Sequence, residues 1–79
     1  MGSAVNYPLD RTPDEAELGF AVEELPTGEN ALVARIPNGL TVVKTAIGDR
    51  IAYEICDRLV PIYTPALSID ELRKRLSLR

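Results

Sequence analysis

Histidine and tryptophan are missing from this chain, which holds one cysteine, one methionine and one phenylalanine. Without histidine, the commonest general base near neutral pH and the commonest zinc ligand are both gone. The lone Cys56 has no intramolecular disulfide partner, and among apolar neighbours it reads as a core thiol rather than a nucleophile. Aromatic residues make up 5% of the chain, too few for a base-stacking platform. No apolar run approaches the roughly 18 residues of a membrane span. The N-terminus has neither the basic start nor the apolar core of a secretory signal, so cytoplasmic residence is expected. The glycines (Gly2, Gly19, Gly28, Gly39, Gly48) never cluster into a phosphate-cradling loop. Asp14, Glu15 and Glu17 lie close together, yet acids belong in the first turn of a helix without any paired-carboxylate chemistry. These absences predict a non-enzyme with no cofactor and no metal.

What is present fits one small domain. At 79 residues with 46% hydrophobic side chains, the chain is expected to bury about 60–65% of its unfolded surface. The net charge of −3 conceals an asymmetry: residues 1–30 carry seven acids against Arg11 alone, whereas residues 31–79 carry five acids and eight bases. An acidic first third disfavours nucleic acid, where phosphate neutralisation dominates affinity.

Residues 1–11 lack periodicity and are expected to form a flexible arm ahead of a single α+β domain over residues 12–79. Thr12-Pro13-Asp14-Glu15 has the chemistry of a helix start, with Thr12 and Glu15 as a capping box and Pro13 in the first position; a solvated acidic turn is the alternative. Residues 20–25, 31–36 and 40–45 read as three strands. Turn chemistry separates them at Pro26-Thr27-Gly28-Glu29 and at Pro37-Asn38-Gly39. Ser68 and Glu71 form a second capping box, with Leu67 and Leu72 at the staple positions. The helix they start carries Ile69, Leu72 and Leu76 as its buried stripe.

Between these elements lies residues 45–60, around which the reading is organised. Ile47, Ile51, Ile55 and Leu59 recur every fourth residue, Gly48, Ala52 and Cys56 run alongside, and Asp49, Arg50, Tyr53, Glu54, Asp57 and Arg58 fill the opposite face. This spacing predicts an amphipathic helix, capped by Thr45 and stopped before Pro61. The expected fold is therefore α+β: a three-stranded antiparallel meander packed against that central helix and a short C-terminal helix.

The order strand-strand-strand-helix-helix resembles the PqqD-like peptide-recognition domain (RiPP recognition element) of ribosomally made, modified peptides. Ile47-Gly48-Asp49-Arg50-Ile51, with Ile55, resembles the family's first helix motif, and Ser68-Ile69-Asp70-Glu71-Leu72 resembles its second helix start. A proline-containing segment, residues 61–67, stands where the family has a short turn, and its third helix has no counterpart before Arg79. The resemblance implies recognition of a leader peptide as an added strand on the third strand, at Leu40, Thr41, Val42, Val43 and Lys44. The function expected is thus non-catalytic binding of a peptide or protein. Two alternatives stand beside leader recognition. One is a small inhibitor or adaptor of phage or mobile-element type that docks on a larger protein. The other is a winged-helix-like DNA binder using the Arg73-Lys74-Arg75 cluster as an anionic-partner contact, although a helix end attracts such charges by itself.

Overall fold

The computed structural model describes residues 5–36, 39–62 and 67–77. Along the chain run β1 (Val5–Asn6), α1 (Pro13–Glu17), β2 (Ala21–Glu24), β3 (Asn30–Arg35), β4 (Thr41–Ile47), β5 (Arg50–Asp57), β6 (Val60–Pro61) and α2 (Ile69–Ser77). The strands form one antiparallel sheet in the order β2-β3-β4-β5-β6, with β1 added to β4. Its body is the four strands β2 to β5.

The expected meander is present as β2-β3-β4, but the central helix is not. Residues 45–60 finish β4, turn, form β5, and turn again into β6, so the three-stranded meander packed on an amphipathic helix is corrected to a larger sheet with two short helices. The physical reason is in the residues. A four-residue repeat is also a two-residue repeat taken twice, so Ile47, Ile51 and Ile55 satisfy a strand as well as a helix. Thr45, Ile47, Ile51, Tyr53 and Ile55 are β-branched or aromatic and favour the pleated form. Gly48 then decides the matter. It sits at φ +64° as the first of two loop residues between the paired Ile47 and Arg50, while Asp49 is not at positive φ, and a positive-φ glycine leading a two-residue loop is the pattern of the type II′ hairpin turn. The turn from β5 to β6 uses Arg58 and Leu59 at φ 53° and 65°, a left-handed pair of the type I′ kind that non-glycine residues adopt at a cost.

Both faces of the sheet are buried, which explains why no clean alternation marks β5. One face carries Phe20, Leu32, Val42, Tyr53, Ile55 and Leu72 in a single cluster, with the Phe20 and Tyr53 rings 5.5 Å apart and tilted. Side chains of this kind each contribute about 1.5–3 kcal/mol when fully buried. The other face carries smaller residues, Ala31, Val33, Val43 and Cys56, with Leu25. Tyr7 and Leu59 pack onto this second cluster from the N-terminal segment and the last hairpin. Thr41 and Thr45 are buried in the sheet and donate their hydroxyls to the carbonyls of Cys56 and Ala52, at 3.3 and 3.0 Å. A buried hydroxyl bonded in this way avoids the cost of an unmade hydrogen bond.

Both helix starts follow their sequence signatures. The Thr12 hydroxyl accepts from the Glu15 amide at 3.2 Å while the Glu15 carboxylate accepts from the Thr12 amide at 2.9 Å, with Pro13 opening the helix. Ser68 and Glu71 make the reciprocal pair at α2, at 2.9 and 3.3 Å. Leu67 and Leu72 are both buried in the first cluster.

Candidate functional site

Three charged or polar groups that would be costly to bury alone meet under the first face. Lys44 Nζ donates to Glu15 Oε1 at 2.9 Å and to the Asp10 carbonyl at 2.6 Å, and the Tyr53 hydroxyl donates to Glu15 Oε2. Glu15 and Lys44 are 1% and 3% exposed. Burial by itself would raise the Glu15 carboxyl. The hydrogen bonds from Tyr53, the Thr12 backbone and Lys44, together with the Lys44 charge, more than offset this and hold it below the ordinary carboxylate range. Burial first, and then Glu15, push the Tyr53 hydroxyl well above the usual tyrosine value. Each oxygen of Glu15 is occupied from within, so the cluster presents no group to a substrate. It is a fastener, tying α1 and the chain before it to β4 and β5.

That tie explains the position of the N-terminal segment. Residues 1–11 are expected as a flexible arm; within them Val5 and Asn6 pair with Ile47 and Ala46, and Asp10 receives Lys44. β5 runs along the whole of β4 from one side, and β3 covers residues 41–43 from the other. β1 pairs with Ala46 and Ile47 on β3's side. β4 is interior, and Thr41, Val42, Val43 and Lys44 are buried, with Leu40 half-buried. The residues the resemblance assigns to peptide addition thus lie together on one strand, but that strand is not an edge.

The second predicted contact is also engaged. Arg73 Nη2 lies 2.7 Å from Asp14 Oδ1, joining the two helices, Lys74 is exposed, and the Arg75 side chain lies outside the described residues, as does that of Leu76. Cys56 is buried as expected, though on a strand, and burial followed by the Glu54 charge pushes its thiol up to about 11, where little nucleophilic thiolate forms near neutrality. Ala52 is buried beside Thr45, but Gly48 is exposed in its turn, so the expected Gly-Ala-Cys row is split.

The end strands of the sheet are β2 and β6, and their edges differ. In an antiparallel ladder, alternate residues turn their backbone groups toward the neighbour and away from it. The Leu25 amide bonds the Glu29 carbonyl at 2.7 Å, which fixes the phase: Ala21 and Glu23 face β3, and Val22 and Glu24 face outward. One step earlier, Phe20 is already satisfied, its amide by the Glu15 carbonyl and its carbonyl by Arg11. Val22 and Glu24 therefore offer two amides and two carbonyls in a row, on the longest unpaired edge among the described residues. Val22 is 53% exposed, and Glu24 is exposed beside it.

The opposite edge is mostly filled or blocked. Tyr53 exchanges two bonds of 2.8 Å with Leu67, and Ile62 donates to Ile55 at 3.0 Å. In β6 this phase turns Pro61 outward, and proline has no amide to offer. Ile51, outward on β5, is a single step at the hairpin end.

β2 is an end strand in the expected meander as well; what sequence reasoning missed is that the other end, β4, is covered once residues 45–60 form β5. Among the described residues no cluster of carboxylate or thiol groups is arranged for a metal, and no helix is long and apolar enough to cross a membrane. No protein family, curated protein or solved structure matches the chain.

Proposed function

We propose that the chain is a non-catalytic protein- or peptide-binding module that takes an extended segment of its partner onto the outer edge of β2. The observation that carries this reading is the open run of backbone donors and acceptors at Val22 and Glu24, at the end of the sheet opposite the edge closed by Pro61. Strand addition draws its affinity from main-chain hydrogen bonds and its selectivity from the alternating side chains. β3, held by its ladder to β4, keeps β2 in place, so the receiving strand loses little entropy on binding. A leader peptide presented to a modifying enzyme is one partner of this form; a segment of a larger protein, bound by an inhibitor or adaptor, is another. Both would use the same edge, and the identity of the partner separates them.

The test compares affinity captures from the native host by the full chain and by its Val22→Pro variant. The substitution removes an outward amide that the fold does not use. A partner retained by the parent and lost by the variant supports the reading. A partner held equally by both places the binding surface elsewhere.

A further inference from the structure

Resting on that strand-addition reading, we infer that the segment accepted by β2 is cationic as well as apolar, with a basic residue two positions from an apolar one on the same face. The chemistry of the edge leads there. Val22 pairs with Leu32 and Glu24 with Asn30, so Val22 and Glu24 project from the same face of β2, and Ala21 and Glu23 from the other. A strand laid alongside sets its own side chains directly beside these, where opposite charges attract and like charges repel. An apolar residue against the exposed Val22 and a lysine or arginine against Glu24 satisfy one face together.

The surroundings reinforce the sign. Glu17 ends α1 just before β2, and Glu29 lies in the turn that follows it, both exposed. Arg11 stands at the start of the edge, on the Phe20 carbonyl, and the cation paired within the group is Arg35, whose Nη2 lies 2.6 Å from Glu23 Oε1. It reaches across from β3 and leaves Glu24, Glu17 and Glu29 without a described ion pair. Four of the seven acids among the first thirty residues, Glu17, Glu23, Glu24 and Glu29, therefore lie on β2 or in the segments that flank it. Such a field raises the encounter rate of a basic segment and repels an acidic one.

The same geometry argues against a second copy of this chain as the occupant. The symmetric antiparallel register that uses both open residues sets Val22 against Glu24 of the other copy and Glu23 against Glu23. Like charges then stand face to face at the centre of the pairing, which is destabilising.

The experiment follows backbone amide shifts of the isotopically labelled full chain during titration with two nine-residue peptides. In one, valine and lysine alternate at every second position with threonine between them; in the other, glutamate replaces lysine. The lysine peptide is expected to shift the amides of residues 21–24 and to bind about tenfold more tightly than the glutamate peptide, the size of two or three cross-strand charge contacts. Glu24→Lys should narrow or reverse the preference, and Val22→Pro should remove the β2 response. Equal binding of both peptides at β2 would keep the edge but overturn the charge assignment. Lysine-peptide binding that survives Val22→Pro would mean diffuse attraction, and overturns it too. No β2 response to either peptide would count against strand addition itself. Shifts in β2 that grow with protein concentration alone would make the second copy the occupant.

Discussion

The two ends of the sheet solve the same problem in opposite ways. An end strand leaves a row of backbone groups open to any passing chain, and proteins blunt such edges with proline, charge, short strands or covering segments. At the β6 end, Pro61 faces outward, Leu67 doubles back onto Tyr53, and the strand is two residues long. Inside the sheet, β1 covers Ala46 and Ile47 of β4, beyond the reach of β3. At the β2 end, no described segment covers Val22 and Glu24, and negative charge alone stands guard. Charge is a selective barrier, whereas proline is an absolute one. The sheet thus closes one end by covalent geometry and leaves the other to electrostatics.

The largest expected effect tests whether the covered edges are held by folding energy. Glu15→Gln leaves Lys44 buried without its counter-charge, and losing one member of such a pair costs about 3–5 kcal/mol. A urea melt should show the midpoint collapsing, with α1 and β1 released together. A shift under about 1 kcal/mol, within the range of an exposed pair, would mean that the fastener is solvated.

Next in size is the contrast between neighbouring positions on β2 itself. Glu23→Pro removes an amide that faces β3 and strands a buried carbonyl, at a cost of about 1–3 kcal/mol. Val22→Pro, one residue away, removes an outward amide and should cost well under that. Equal losses in thermal melts would show that the inward and outward assignment is wrong.

Acid titration reads the fastener without mutation. The Glu15 carboxyl is held below its unfolded value, so its contribution is complete above the ordinary carboxylate range. It fades as pH falls through that range toward the lower, folded value. Stability measured from pH 6 downward should fall at this point in the parent chain, and more weakly in Glu15→Gln, which has no such proton to take up. Parallel curves for the two would remove Glu15 from the account.

The smallest effect concerns the turn that carries the chain to the closed end. Arg58→Asn places a residue tolerant of left-handed backbone at φ 53° and should stabilise by about 0.5 kcal/mol. A loss instead would mean that the Arg58 side chain makes contacts worth more than the strain.

Much of this was legible where local chemistry decides. Both capping boxes, the staple of Leu67 on Leu72, and the strands around Leu32 and Val42 follow from residue types at fixed spacing. The hairpin after Ile36 closes as its turn chemistry predicts, with Gly39 at φ +92° and Ile36 bonded to Leu40, though Pro37 and Asn38 lie outside the described residues. Residues 45–60 were not legible, because Ile47, Ile51 and Ile55 fit both periods and burial on both faces erased the alternation. The Gly48-Asp49 pair was the signal that separates them, a two-residue hairpin loop between β-branched runs. The same residues decide which edges stay open. With a helix after it, β4 is the second end of the meander and an edge; with β5 after it, β4 is interior and β2 is the only one of the meander's two ends that remains an end. Thr41 and Val43, which the resemblance places on the peptide-binding edge, are each 3% exposed, so charges there would break the fold.

Amide hydrogen exchange across β2 in the free protein tests the central claim most directly. Exchange reports which amides are bonded in the native state. An open edge predicts that Val22 and Glu24 exchange rapidly while Ala21, Glu23 and Leu25 are protected, a two-residue alternation along β2. Uniform slow exchange from Ala21 to Leu25 would show the edge already covered, and the binding site proposed here would not exist.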